Sequence, residues 1–274
     1  MTPCVKQKGI KMKKTLIALS LFALSAAASA QAPSFLSNGE YKVFTGYNKT
    51  SSKAGDLKQT TNSGEIGARA DMSFDEHHGM RLEAGYRLGK KDSTDVTEGA
   101  KFSKGAKDQK TDVYAGYTYT QQLSEGARLR AGVGVGYENA NDKVHKKLVD
   151  GASGFDVGRE AFYAKAHVEV RQDLGSGWAV TPWGEAVVDL HAKTKAKTTQ
   201  IGASNDVSKK TNGWGVGLGV NVEKQLSDSV GVEFGPYYKH RHFGESAKFV
   251  QDGEETYIDK VRINEYGMRV GLKF

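Results

Sequence analysis

YGMRVGLKF, from Tyr266 to Phe274, alternates between apolar and polar side chains at every residue. Its apolar face comprises Tyr266, Met268, Val270, Leu272 and Phe274. Its polar face comprises Gly267, Arg269, Gly271 and Lys273. A period of two indicates a β-strand whose two faces meet different surroundings. A soluble sandwich buries the apolar face against a second sheet. The aromatic residue that ends this strand instead favours a transmembrane barrel, in which lipid covers the apolar face.

The same alternation recurs in nine upstream segments. The predicted strands are Glu40–Lys49, Gly64–Phe74, Met80–Gly89, Asp112–Leu123, Ala127–Asn139, Glu160–Leu174, Trp178–Lys193, Thr211–Leu226, Ser229–His242 and a last strand that ends at Phe274. Four short turns alternate with five long connections, which are Thr50–Asn62, Lys90–Lys110, Ala140–Gly158, Thr194–Lys210 and Phe243–Asp259. This pattern predicts an all-β fold, a ten-stranded antiparallel transmembrane β-barrel with five long extracellular loops and short periplasmic turns.

The last strand contains one irregularity in its pattern. Val261 and Ile263 are out of phase with the apolar positions from Tyr266 onward. Because a β-bulge shifts the side-chain alternation by one residue, we expect a bulge near Asn264.

The first 30 residues have the composition of a secretory leader. Met12–Ala30 combines a basic start, an apolar run from Leu16 to Leu24 and a small-residue cleavage site, which together predict a signal peptide. We therefore expect residues 1–30 to be upstream residues and signal peptide, starting at Met1 or Met12, and residues 31–274 to form the barrel.

Loss of this leader changes two arguments from composition. Without its five lysines, the formal charge falls from +7 to +2, so a polyanionic partner must be argued from where the charges lie. The single cysteine, Cys4, leaves with the leader. Disulfides, thiol catalysis and cysteine-based metal sites are therefore excluded for the mature chain.

The inward positions of the predicted strands carry both signs of charge. They are Arg69, Asp71, Arg81, Glu83, Arg87, Arg130, Lys165, Glu169, Arg171, Glu185, Asp189, Glu233 and Arg269. We expect these side chains to pair across a narrow lumen and fill it. An open diffusion pore is disfavoured for this reason, and a narrow channel is kept as an alternative function.

Lysines are concentrated in three of the predicted loops. The second loop contains Lys90, Lys91, Lys101, Lys104, Lys107 and Lys110. The fourth segment contains Lys193, Lys195, Lys197, Lys209 and Lys210, and the first loop adds Lys49, Lys53 and Lys58. Brought to one end of a barrel, they would present a cationic surface to a polyanion such as a sulfated glycan. The alternative is that they solvate the loops or pair with anionic lipopolysaccharide of the outer membrane.

Two other groups of residues are candidates for chemistry. Asp189 and His191 are predicted to point inward from one strand, a spacing at which a carboxylate can orient an imidazole as general base. Barrel proteases of the omptin family resemble this chain in having ten strands and an Asp-x-His pair. No facing acidic pair is found, however, so ion pairing in the lumen is favoured over a rim protease. His77 and His78 lie in a turn without further ligands, and no metal or other cofactor is expected.

Five segments resemble the OpcA family of outer-membrane adhesins and invasins. They are Ile66–Lys91 (IGARADMSFDEHHGMRLEAGYRLGKK), Asp112–Ser124 (DVYAGYTYTQQLS), Lys210–Val222 (KTNGWGVGLGVNV), Phe234–Ser246 (FGPYYKHRHFGES) and Ile263–Phe274 (INEYGMRVGLKF). The resemblance implies a ten-stranded barrel in the bacterial outer membrane, with its loops facing the cell exterior. It is weakest in the loops.

The resemblance also implies a function. It indicates a non-enzymatic adhesin and virulence factor that binds host-cell proteoglycan, chiefly heparan sulfate, through a basic crevice between loops. Sialic acid and the serum proteins vitronectin and fibronectin are further implied ligands, and no nucleic acid is expected. The matching positions are the lysines of the second and fourth loops together with Lys239 and Arg241.

Overall fold

The structure is a computed structural model that describes residues 39–55, 57–95, 101–143, 155–198, 206–245, 249–251, 254–256 and 259–274. The proposed leader lies outside the described residues. Every regular element in these ranges is a β-strand. The described residues include no helix of sufficient length and apolar character to cross a membrane.

Thirteen strands are described. They are β1 (Gly39–Ala54), β2 (Leu57–Ser73), β3 (His78–Asp95), β4 (Lys101–Ser124), β5 (Ala127–Lys143), β6 (Phe155–Gly175), β7 (Trp178–Thr198), β8 (Asp206–Lys210), β9 (Gly213–Gln225), β10 (Gly231–Phe243), β11 (Phe249–Gln251), β12 (Glu254–Thr256) and β13 (Val261–Lys273). β8 and β9 pair with successive parts of β7 and act as one interrupted strand. β11 and β12 form a separate short hairpin.

The remaining strands close into a barrel. Each strand pairs antiparallel with its neighbour, β13 pairs with β1, and β6 pairs with β7. With β8 and β9 counted as one, the barrel has ten strands, which confirms the predicted fold. Closure satisfies the backbone hydrogen bonds of every strand within the sheet, as the interior of a bilayer requires.

The strands run further than the sequence pattern predicts. β1 ends at Ala54 and β2 begins at Leu57, so most of the predicted loop Thr50–Asn62 is a hairpin. Most of Lys90–Lys110 likewise belongs to β3 and β4. β4 has 24 residues, whereas about 9–11 suffice to cross a bilayer. Outside the bilayer both faces of a strand are polar, and the alternation that marks a strand disappears from the sequence.

The barrel has two distinct ends. The loop end carries the connections that follow β1, β3, β5, β7 and β10. The turn end carries the first residue of β1, the last residue of β13 and the short turns around residues 74–77, 125–126, 176–177 and 226–230.

The outer wall is an apolar band between two sets of aromatic side chains. Exposed Val133, Leu218, Met268 and Val270 belong to the band. On its loop-end side, outward aromatic residues form what we call the aromatic belt, comprising Tyr47, Tyr86, Tyr137, Trp214, Tyr238 and Tyr266. On its turn-end side stand Phe74, Tyr119, Trp178 and Phe274. Such aromatic rings mark the two interfaces of a membrane.

The bulge expected near Asn264 is absent, and this expectation was wrong. β13 keeps an uninterrupted register from Val261 to Lys273 against β1, and against β10 as well. Ile263 therefore faces the lumen, where it lines the central cavity. The polarity of the two faces inverts because this part of β13 lies beyond the aromatic belt, where the outward side chain of Asn264 no longer meets hydrocarbon.

Charged side chains fill the lumen, as predicted. At its centre, Glu169 on β6 accepts hydrogen bonds from Arg81 at 2.7 Å and from Arg69 and Arg130 at 3.1 Å. Asp71 binds the same three guanidinium groups, with an Arg81 Nε to Oδ1 distance of 2.6 Å. Three arginines from β2, β3 and β5 thus share two carboxylates, and the cluster joins strands that are not neighbours in the sheet.

Further ion pairs cross the lumen above and below this cluster. They are Lys42 with Glu233, Glu83 with Lys165, Arg87 with Glu265, Arg171 with Glu223, Glu185 with Lys239, and Glu65 with Arg269. Between them lies a cavity of about 200 Å³. The predicted neutralisation of the inward charges is confirmed among the described residues.

Glu169→Gln is expected to lower the free energy of unfolding by about 3–5 kcal/mol, because it leaves buried guanidinium groups without one of their two carboxylates. The measurement is equilibrium urea unfolding of the refolded barrel in detergent.

The matched control is Asp173→Asn, which removes the same charge from a half-exposed partner of Arg171 near the turn end and should cost less than about 1 kcal/mol. Equal effects of the two substitutions would contradict the central role of the Glu169 cluster.

Candidate functional site

The hairpins at the loop end extend the barrel beyond the aromatic belt. Their inward side chains form hydrogen bonds with one another: Ser63 Oγ donates to Asn48 Oδ1, and Gln59 Nε2 donates to Ser93 Oγ at 3.3 Å. Ser52 Oγ in turn donates to Gln59 Oε1. These polar contacts replace the hydrophobic core that a soluble sheet would need. They hold the outward side chains of the hairpins in a fixed register.

That register places lysines directly opposite one another on three hairpins. Lys53 faces Lys58, Lys90 faces Lys107, and Lys193 faces Lys210. We call these the three lysine pairs. All six side chains are exposed, and within the described part of the chain none forms an ion pair. Like charges at directly opposed positions are destabilising. Lys193 also faces Glu160 on β6, but the other two pairs have no acidic residue opposite them, so sheet stability does not account for their placement.

Four of the predicted site residues lie inside the barrel, bound to carboxylates. Lys91 pairs with Asp142, and Lys110 Nζ lies 2.6 Å from Glu138 Oε2. Lys239 Nζ lies 2.7 Å from Glu185 Oε1, and Arg241 Nη2 lies 3.0 Å from Asp189 Oδ1. Each cation is matched by a carboxylate within the lumen, and their charges do not add to an outer surface.

The other predicted cations divide into three groups. Exposed outward positions are occupied by Lys90, Lys104, Lys107, Lys193 and Lys210. Lys195 is partly exposed and pairs with Glu160 at 2.8 Å. For Lys101, Lys197 and Lys209, which lie in β4, β7 and β8, only the backbone is described.

The sequence contains a signal that separates these groups. Continuing the phase of β3 from Met80, an outward residue, makes Lys90 outward and Lys91 inward. The prediction placed both lysines in a loop, where side chains have no inward or outward phase, and so missed this division. Gly105, with φ of 67°, interrupts β4 and shifts its phase, so Lys104 and Lys107 are both outward.

The structure does not bring Asp189 and His191 together. β7 carries an extra residue at Leu190, where the register with β6 passes from Tyr163–Asp189 to Phe162–His191. This bulge turns His191 to the outside, whereas Asp189 stays inside, and the prediction that both point inward was wrong. Asp189 instead accepts hydrogen bonds from Arg159 at 2.6 Å and Arg241 at 3.0 Å. A carboxylate held by two guanidinium groups is a structural ion pair and orients no imidazole.

The two histidines of the first turn belong to an aromatic cluster. His77 stacks on Tyr119 with a centroid distance of 5.7 Å, and His78 contacts Tyr117. Asp75 fixes the turn by accepting hydrogen bonds from both histidine backbone amides, which lower the pKa of its carboxyl. The described residues contain no group of side chains suited to a metal ion.

Two carboxylates near the loop end share one lysine. Asp142 lies in β5, five residues beyond Tyr137 of the aromatic belt, and therefore outside the membrane-spanning segment. Lys91 pairs with Asp142 and lies 3.9 Å from Asp108 Oδ1. Burial raises the pKa of Asp142 to about 7, and the hydrogen bond and charge of Asp108 add to this rise against the attraction of Lys91.

Comparison with known proteins identifies the family. The sequence pattern described as "Outer membrane protein OpcA" matches residues 35–274. The chain belongs to the OpcA family. A search of curated protein sequences finds no match. Family and fold together make this chain an outer-membrane protein of the adhesin type and place it in the bacterial outer membrane.

Solved structures align with most of this OpcA-family chain. The outer membrane protease OmpT of Escherichia coli aligns with a TM-score of 0.58 at 8% identity, over 90% of this chain and 99% of OmpT. The translocator domain of the autotransporter NalP from Neisseria meningitidis aligns with a TM-score of 0.45 at 11% identity, over 96% of this chain and 97% of the NalP domain. Ail of Yersinia pestis, in complex with the heparin analogue sucrose octasulfate, aligns with a TM-score of 0.34 at 12% identity, over 86% of this chain and 99% of Ail. At 8% identity the likeness to OmpT concerns the fold alone.

In this OpcA-family barrel, Asp142 is expected to titrate near pH 7 rather than near its usual 4. Its contribution to stability is then complete below about pH 4 and is lost as the pH rises through about 7, because the folded state favours the protonated carboxyl. Carboxyl-carbon NMR titration of the refolded barrel measures this directly.

Two substitutions fix the cause of this shift. Asp108→Asn should lower the pKa of Asp142 by removing a like charge, and Lys91→Gln should raise it by removing the partner cation. A parent Asp142 that titrates near pH 4 would contradict the described geometry.

Proposed function

We propose that this OpcA-family adhesin binds host-cell sulfated proteoglycan, chiefly heparan sulfate, through the exposed cations of its loop end. The observation that carries the proposal is the set of three lysine pairs on three separate hairpins. Each pair places two ammonium groups opposite each other, without an ion-pair partner in the described part of the chain. Binding of a polyanion would relieve the repulsion between the two ammonium groups of each pair, and this relief would add to the binding free energy.

The geometry suits a ligand with closely spaced anionic groups. Directly opposed residues of an antiparallel sheet have Cβ atoms about 4.5–5.5 Å apart, and the lysine stems let the ammonium groups adjust over a few ångströms more. Several weak contacts along a chain of sulfates then add up, and many copies on one cell multiply them. Exposed ionic contacts are screened by salt, so binding should be strongly salt-dependent.

The proposal requires the loop end to face the cell exterior. Support comes from the topology, because barrels of this class have short turns on the periplasmic side and longer connections outside. Here the four short turns, the start of β1 and the end of β13 all lie at the turn end of the barrel. The lysine pairs lie at the opposite end.

The same surface is proposed to be non-enzymatic. Asp189, the carboxylate considered for general-base chemistry, is held by Arg159 and Arg241. Sialic acid, vitronectin and fibronectin are candidate ligands of this surface, since the resemblance to OpcA adhesins implies them.

Lys90→Gln with Lys107→Gln is expected to weaken the affinity for heparin about two- to thirty-fold, from two exposed contacts of about 0.2–1 kcal/mol each. The measurement is the salt concentration at which the refolded barrel elutes from immobilised heparin.

Two controls accompany this variant. Lys224→Gln removes a lysine at the turn end, where Nζ donates to the Ser176 carbonyl, and should leave elution unchanged. Glu160→Gln removes the acid beside Lys193 and Lys195 and should delay elution. The proposal fails if the folded parent elutes at low salt. It also fails if the Lys90 and Lys107 variant elutes at the same salt concentration as the parent, as the Lys224 control should.

A further inference from the structure

The outer wall carries a second group of basic side chains, at the aromatic belt and just beyond it toward the loop end. It lies on β9, β10 and β13 and is called the β10 wall patch. Its members are Trp214, Tyr238, His240, His242, Arg262, Asn264 and Tyr266. The register aligns them in rows, with His242 opposite both Trp214 and Arg262, and His240 opposite Asn264. We propose that this patch binds the phosphorylated sugar headgroup of an outer-leaflet glycolipid. The proposal rests on the orientation proposed above.

The patch is an ordered assembly of side chains. Tyr238 Oη donates to Asn264 Oδ1 at 2.8 Å, and His240 Nδ1 lies 2.8 Å from the same oxygen. The Trp214 ring lies 5.6 Å from the His240 ring and 6.0 Å from the His242 ring. Tyr238 packs on Tyr266 with a centroid distance of 5.0 Å. The orientation of both imidazoles is thus set by their neighbours.

Two basic side chains of the patch are available to a ligand. Among the described residues, Arg262 and His242 have neither a hydrogen-bond partner nor an ion-pair partner for their side chains. Arg262 is exposed and faces Lys53 on β1. The outward positions of these rows on β9, β10, β13 and β1 contain no aspartate or glutamate. The patch therefore presents a positive field to whatever covers this side of the wall.

The position of the patch identifies its occupant as a membrane lipid. Immediately toward the turn end, the outward residues of the same strands are apolar and exposed, including Leu218, Phe234, Met268 and Val270. Acyl chains cover such a surface, and the headgroups then lie at the level of the aromatic belt. Basic residues at this level attract anionic headgroups. A second copy of this chain is disfavoured, because a two-fold symmetric contact through this patch would bring two copies of the same positive surface together.

The aromatic members favour a sugar phosphate over a simple phospholipid. Trp214 is half exposed beside the two imidazoles, and Tyr266 is exposed beside Asn264. Aromatic rings of this kind, apolar on the face and polar at the edge, suit a sugar ring. Arg262 offers the two-pronged hydrogen bonding that matches a phosphate. The proposed contacts are thus phosphate to Arg262 and the imidazoles, and sugar to Trp214.

The test is a titration of the refolded barrel in detergent with diphosphoryl lipid A, with bound lipid counted by native mass spectrometry. Dephosphorylated lipid A and phosphatidylglycerol are the comparison lipids. We expect diphosphoryl lipid A to bind most tightly. Arg262→Gln should weaken it about fivefold, and adding His240→Gln and His242→Gln should weaken it further. Arg262→Lys should retain part of the affinity.

The matched control is Lys90→Gln with Lys107→Gln, which removes two outward cations on a different part of the wall and should leave lipid binding unchanged. The Lys90 and Lys107 variant is expected to elute earlier from heparin, so retained lipid binding by this variant separates this inference from the proposed glycan function. If the triple variant fails to fold, Arg262→Gln alone decides, because its side chain is exposed and unpartnered.

Three results would overturn the proposal. Equal binding of dephosphorylated lipid A would remove the phosphate from the interaction. Equal or tighter binding of phosphatidylglycerol would reduce the patch to a general anionic surface. Undiminished binding by a folded Arg262→Gln or triple variant would place the lipid elsewhere on the wall.

Discussion

The absence of water in the bilayer interior is the constraint on which this structure depends. Every backbone amide and carbonyl within the hydrocarbon must find a partner in the sheet, and only closure of β13 onto β1 removes the free edges. Closure fixes the alternation of side chains, with one set in lipid and the other in a narrow lumen. The apolar face of Tyr266–Phe274 and its inward Arg269 and Lys273 follow from this single requirement.

The lumen then determines where function can lie. Ten strands leave space for side chains but little more, and arginines and carboxylates fill it in clusters such as that around Glu169. Cations in the lumen, including Lys239 and Arg241, are neutralised by Glu185 and Asp189. Beyond the bilayer and outside the lumen, Lys195 pairs with Glu160, whereas the three lysine pairs have no carboxylate partner among the described residues. The three lysine pairs and the β10 wall patch are the two places where this charge is concentrated among the described residues.

Much of the architecture was predictable from the sequence. Strict alternation in segments such as Met80–Leu88 gave the strands, their inward charges and the number ten, because each bilayer crossing imposes the pattern anew. Prediction failed where the bilayer ends. Lys90 and Lys91 appeared equivalent as loop residues, yet β3 continues through both and directs one outward and one into the lumen.

Local backbone irregularities were the second limit. The bulge at Leu190 separates His191 from Asp189, although nothing in the polarity of β7 marks it. The reverse error occurred at Val261 and Ile263, where a change in polarity was read as a bulge and the backbone is regular. The polarity of a residue reflects the surroundings of its side chain. A change in the polarity pattern therefore indicates a β-bulge only where the surroundings on each face of the strand stay the same.

The central claim is that exposed lysines of the loop end contact a polyanion outside the cell while lumen lysines serve the fold. The most direct test labels intact cells with a membrane-impermeant amine reagent, with and without heparin, and reads each lysine by mass spectrometry. The account predicts that Lys90, Lys107, Lys193 and Lys210 react and are protected by heparin, whereas Lys110, Lys165, Lys239 and the turn-end Lys224 do not react. Labelling of Lys224 without the loop-end lysines, or identical labelling with and without heparin, would contradict it.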